Sequence, residues 1–90
     1  MIKRLRANFT GNVQGIGFRY TARSLAKDLQ VSGWVRNVPD GSVELVAEGE
    51  ETFLKDLLSQ IQHELNYARY KESVNWEPAT GEFSLFEIRY

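Results

Sequence analysis

Apolar residues along this chain switch between a period of two and a period of about 3.6, twice in each direction, and that alternation restricts the fold more than any other feature. Over residues 3–9, Leu5, Ala7 and Phe9 alternate with Arg4, Arg6 and Asn8, the pattern of a strand with one buried face. Past a glycine-rich run, Ala22, Leu25, Ala26 and Leu29 recur at helical spacing, which predicts a helix over 18–29. Ser32-Gly33 breaks it. Gly33-Trp34-Val35-Arg36-Asn37 then reads as a short strand, Pro39-Asp40-Gly41 as a turn, and residues 42–48 as the second arm of a hairpin. In that arm Val43, Leu45 and Ala47 share one face, and Glu44, Val46 and Glu48 share the other.

After Gly49, the stripe Phe53, Leu54, Leu57, Leu58, Ile61 and Leu65 predicts a second helix to about residue 64, and Glu50 and Glu51 suit its N-terminal dipole. Ala68, Tyr70, Val74 and Trp76 then alternate with Arg69, Lys71, Ser73 and Asn75, although Glu72 falls on the apolar side. A turn over 78–81 leads into a last strand over 83–90. This order predicts an α+β, ferredoxin-like fold: a βαββαβ two-layer sandwich whose antiparallel sheet carries two helices on one face, with an extra C-terminal strand. Residues 1–90 are expected to form a single domain, without linker or repeat, of a size that folds without disulfide or metal.

That fold hosts many chemistries, so function has to be read from sites. No apolar stretch approaches the ~20 residues of a membrane span. Eleven Lys and Arg against twelve Asp and Glu give a net charge of −1, which supplies no bulk attraction to nucleic acid. An RNA-recognition module of this shape needs aromatic residues on its third strand, where this chain has Ser42-Val43-Glu44-Leu45-Val46-Ala47-Glu48. The absence of cysteine rules out disulfides, thiolate metal sites and a cysteine nucleophile. The chain opens into an alternating strand rather than an apolar signal core, and a cytoplasmic location is expected.

Between the first strand and the first helix lies Gly11-Asn12-Val13-Gln14-Gly15-Ile16-Gly17-Phe18-Arg19. A dinucleotide fingerprint starting at Gly15 requires glycine where Tyr20 stands, and the Gly-Lys-Ser/Thr of a P-loop occurs nowhere. Two readings remain open on the residues alone. One is a turn that is glycine-rich for steric reasons. The other is a backbone anion cradle, completed by a helix start and by the guanidinium of Arg19. Asn37, at the end of the hairpin strand, is open in the same way: it either caps a turn or faces the glycine loop from a neighbouring strand.

Taken together, the two segments resemble the acylphosphatase family. Gly11, Val13, Gln14, Gly15, Phe18 and Arg19 meet the family pattern Gly-x-Val-Gln-Gly-Val-x-Phe-Arg, with Ile16 in place of valine. Gly33, Trp34, Val35, Asn37, Gly41 and Val43 meet a second pattern, Gly-Trp/Phe-Val-x-Asn followed by Gly-x-Val. The resemblance extends to Phe86-Glu87-Ile88. It departs at His63-Glu64-Leu65-Asn66-Tyr67-Ala68, where the family commonly has Gly-Pro. The run Ile16-Gly17-Phe18-Arg19 also resembles the acylphosphatase-like domain of the much longer hydrogenase-maturation carbamoyltransferases, and a free-standing enzyme is expected.

The resemblance implies hydrolysis of the carboxyl-phosphate anhydride of acyl phosphates by water, without a metal or other cofactor. Arg19 and the amides of Gly15, Ile16, Gly17, Phe18 and Arg19 would hold the phosphoryl oxygens, and Asn37 would orient the water. The partners implied are a small acyl phosphate and inorganic phosphate, the latter as product and inhibitor, with no nucleic acid or membrane; the oligomeric state is left open, with a monomer expected. The alternative is a non-catalytic module of the same fold that holds phosphate, carbamoyl phosphate or an RNA backbone. His63 is expected to be solvated, Glu48, Glu50 and Glu51 to serve the dipole of the second helix, and Trp34 and Trp76 to pack in the core or on the sheet.

Overall fold

The computed structural model describes residues 1–15, 17–66 and 69–90. Its elements are β1 (Ile2–Gly11), α1 (Phe18–Asp28), β2 (Ser32–Asn37), β3 (Val43–Glu50), α2 (Glu51–Glu64), β4 (Tyr70–Pro78) and β5 (Phe86–Arg89). The five-stranded sheet has the order β4-β1-β3-β2-β5. The expected ferredoxin-like sandwich is present, and Ala68, placed by its pattern in the fourth strand, lies outside the described residues.

One face of the sheet follows directly from the period-two patterns. Leu5, Ala7 and Phe9 of β1, Val35 of β2, and Val43, Leu45 and Ala47 of β3 are buried against Ala22 and Ala26 of α1 and Leu54, Leu57 and Ile61 of α2. The alanines of α1 put little side chain between helix and sheet. Glu72 shares this face on edge strand β4, and its carboxylate escapes the core by accepting hydrogen bonds from Gln62 of α2 at 2.6 Å and from the Tyr70 hydroxyl at 3.4 Å.

The sheet departs from a purely antiparallel one at β5. The first four strands pair antiparallel, whereas β5 runs parallel to β2, with Arg36 opposite Arg89. Because β4 and β5 occupy opposite edges, the connecting residues 79–85 must cross from one edge to the other. That crossing covers the sheet face expected to meet solvent. Arg4, Val46 and Glu48 are all buried there.

Glu48 is therefore not an acid of the α2 N-terminus, as expected from sequence, but the centre of a buried polar latch. Its carboxylate accepts hydrogen bonds from Arg4 Nε at 2.7 Å, the Thr80 and Gly81 amides at 2.9 Å, and the Thr80 hydroxyl at 3.0 Å. Arg4 also pairs with Glu82 and lies over the Phe83 ring at 5.2 Å. Burial alone would raise the Glu48 pKa, yet the hydrogen bonds from Thr80, Arg4 and Gly81 outweigh it and hold the group at about 2.

A carboxylate with a depressed pKa stabilises the fold above its ordinary value of 4.5, and that contribution is lost as the pH falls towards 2. A shift of this size corresponds to on the order of 3 kcal/mol. Acid titration of thermal stability is expected to show this loss in the wild type. Glu48→Gln is expected to be less stable at neutral pH by about 3 kcal/mol, the cost of breaking a buried pair, and to show a smaller acid-dependent loss. Equal melting temperatures for the two proteins at pH 7 would contradict the latch.

Candidate active site

The ends of β1, β2 and β5 and the start of β3 meet at one end of the sheet. Val43 opens β3 opposite both Phe9 of β1 and Asn37 of β2, and the parallel pairing of Arg36 with Arg89 brings the residue after Arg89 to the level of Asn37. The glycine loop after β1 and the N-terminus of α1 complete this end. Asn37 shares a strand face with buried Val35, the face that carries the helices.

Two glycines shape the loop by conformation rather than by space. Gly15 and Gly17 take φ of 82° and 77°, and a Cβ at either would meet nothing within 4 Å. Such left-handed angles cost an ordinary residue about 1–2 kcal/mol each. Gly17 is also the N-cap of α1, which has neither a side-chain cap nor an acid in its first turn. The first intrahelical bond runs from the Thr21 amide to the Gly17 carbonyl at 3.0 Å. The amides of Phe18 and Arg19 therefore lack helical partners and remain available to an anion. Phe18 contributes backbone only, since its ring is buried 5.1 Å from that of Phe9. Ile16 lies outside the described residues.

The loop is bracketed to the hairpin turn by Gln14. Its amide nitrogen donates to the carbonyls of Val38 at 3.0 Å and Ser42 at 2.9 Å. The turn is itself closed by the Val38 amide on the Ser42 carbonyl at 2.8 Å. Asp40 accepts from the Ser42 hydroxyl at 2.6 Å and the Ser42 amide at 2.9 Å, bonds that lower its pKa. Asn37 is thus followed by a rigid turn, and the loop carrying Arg19 is tied to that same turn.

Between loop and strand lies a cleft of about 240 Å³, lined by Gln14, Gly15, Gly17, Phe18, Arg19, Tyr20 and Asn37. The two sequence motifs therefore meet in one small space. Among the described lining residues Arg19 is the only charged one, and none is a carboxylate or a histidine. Arg19 lies over the Tyr90 ring at 5.1 Å, a cation–π contact that restrains the guanidinium. The cleft carries the positive charge of Arg19 and is of a size for a phosphoryl group and a water molecule.

Set against known sequences, residues 5–88 match the model of the Acylphosphatase family. The chain belongs to the acylphosphatase family. It is 43% identical over 84 residues to an acylphosphatase of Acaryochloris marina, covering 93% of this chain and 90% of that one. It is also 43% identical over 88 residues to an acylphosphatase of Salinibacter ruber, covering 97% and 93%. The crystal structure of acylphosphatase from Bacillus subtilis superposes with a TM-score of 0.89 at 32% identity, covering the whole of both chains. As a member of the acylphosphatase family this chain is an enzyme of that kind, a hydrolase, and the binding-only alternative is not favoured. Among its described helices, none is long and apolar enough to cross a membrane.

Sequence reasoning assigned no role to Gln14, Tyr20 or Tyr90. Gln14 stood within the motif, but its task depends on two carbonyls of a turn far along the chain. Tyr90 follows a strand whose edge and direction no local pattern specifies. His63 is exposed on the last turn of α2, as expected. Trp34 sits on the sheet with its ring under the guanidinium groups of Arg36 at 5.3 Å and Arg89 at 5.1 Å.

Proposed function

We propose that this cleft hydrolyses acyl phosphates by direct attack of water on phosphorus, with Arg19 and Asn37 in the two leading roles. The Arg19 guanidinium and the amides of Gly15, Ile16, Gly17, Phe18 and Arg19 hold the non-bridging phosphoryl oxygens. Asn37 orients the water on the opposite side of the phosphorus from the leaving group. The water oxygen bonds to phosphorus, the bond from phosphorus to the acyl oxygen breaks, and its electron pair departs on the carboxylate. The excess proton passes to solvent. The observation that carries this reading is the convergence of Arg19, Asn37 and the uncapped start of α1 on one cleft.

The chemistry needs little more. A carboxylate is a good leaving group, so positioning the water and neutralising the phosphoryl oxygens supply most of the catalysis. Charge on those oxygens is met by a fixed guanidinium and preorganised N–H groups, where other phosphoryl-transfer enzymes use magnesium. A strong general base is not required, in keeping with the cleft's lack of carboxylate and imidazole among its described residues. The same reading takes residues 1–90 as one domain, working as a cytoplasmic monomer on a small-molecule substrate, with inorganic phosphate as product and competitive inhibitor.

The purified protein is expected to turn over benzoyl phosphate, with inorganic phosphate raising KM and leaving kcat unchanged. Folded protein without turnover would sink the proposal.

A further inference from the structure

A second, larger depression begins where the cleft ends. Tyr20 lines both, and from it a groove of about 840 Å³ runs along α1 towards the helix C-terminus. Arg23, Lys27 and Gln30 line its helix side, and Ser84 and Leu85, from the segment that leads into β5, lie in its wall. No acid lines it among the described residues. Arg19, Arg23 and Lys27 stand four residues apart, so each is about 6 Å further along the axis on one slowly winding face. Among the described residues neither Arg23 nor Lys27 forms an ion pair with a carboxylate. Arg23 instead rests over the Tyr20 ring at 5.4 Å, at the junction of cleft and groove.

The groove also holds a backbone anomaly. Gln30 takes φ of 57°, and among the described residues it is the only one other than glycine with positive φ. It occupies the left-handed position that ends α1, with its own amide on the Lys27 carbonyl at 3.3 Å and the Val31 amide on the Ala26 carbonyl at 3.1 Å. Glycine is the usual residue there. A glutamine costs stability at that site and places an amide at the groove's far end.

The geometry points to this groove as the subsite for the acyl group, selecting acyl phosphates whose acyl chain ends in a second anion, such as the monoacyl phosphates of short dicarboxylic acids. The inference rests on the hydrolytic reading of the cleft and adds its substrate class. With the phosphoryl group on Arg19, the leaving carboxylate departs past Tyr20. A distal carboxylate about one helical turn away then meets Arg23. Arg23 rather than the helix end is the anchor, because the C-terminal dipole of α1 repels an anion there. Lys27 offsets that dipole and keeps the groove positive.

The test compares kcat/KM for succinyl phosphate and acetyl phosphate in the wild type, Arg23→Ala and Arg23→Lys. The wild type is expected to prefer succinyl phosphate, and added salt to shrink the preference. Arg23→Ala is expected to cut the ratio of the two constants about tenfold, as a rise in KM for succinyl phosphate, and Arg23→Lys to retain most of it. A wild type that turns over acetyl phosphate with no preference for succinyl phosphate overturns the subsite alone, as does an unchanged ratio in Arg23→Ala. A wild type that hydrolyses neither overturns the subsite and the hydrolytic reading together.

Discussion

Arg19→Ala is expected to lower kcat/KM for any acyl phosphate by at least about 10³-fold, the low end of what a phosphoryl-clamping arginine supplies. The reason is that Arg19 is the only charged side chain among the described residues of the cleft, so no other described lining residue can take over its charge. The loss should fall mainly on kcat, because negative charge on the equatorial oxygens must be met most closely in the transition state. Arg19→Lys should recover little, since an ammonium cannot reproduce the two parallel N–H donors of the fork or its stacking on the Tyr90 ring. The fold should survive both changes, as Arg19 is only partly buried and outside the core. An Arg19→Ala protein within tenfold of wild type would remove the guanidinium from the mechanism.

Asn37→Ala is expected to reduce kcat by about 10²-fold, the scale of losing one preorganised polar group, with a smaller change in KM. Asn37 reaches the reaction through the water, not through the bound phosphate, and that asymmetry is what the KM comparison reads. Its backbone is fixed by pairing with Val43 and by the Gln14-bracketed turn that follows, so truncation should leave the loop in place. Inorganic phosphate should accordingly bind the variant about as well as it binds wild type. An unchanged kcat would show that the water is oriented by some other group.

Local patterns carried the helix-facing side of the sheet almost completely. Leu5, Ala7, Phe9, Val43, Leu45 and Ala47 alternate strictly, and each is buried where the alternation places it. The opposite face was misjudged for a topological reason. Arg4, Val46 and Glu48 alternate just as cleanly, but whether that face meets solvent depends on where β5 docks, and a four-residue strand carries no signal for its partner. Arg4 and Glu48 look like surface charges until residues 79–85 cross over them. The site divides along the same line. Gly15, Gly17, Arg19 and Asn37 belong to short contiguous motifs whose chemistry can be read locally. Gln14, Tyr20 and Tyr90 act through partners brought near only by the β1-β3-β2-β5 arrangement, and Gln30 reveals its strain only through a dihedral angle.

The most direct test of the account is hydrolysis of benzoyl phosphate in ¹⁸O-labelled water with EDTA present. Attack of water on phosphorus, held by Arg19 without a metal, predicts sustained turnover with the label incorporated into inorganic phosphate. Turnover abolished by EDTA, or label appearing in benzoate instead, would contradict it.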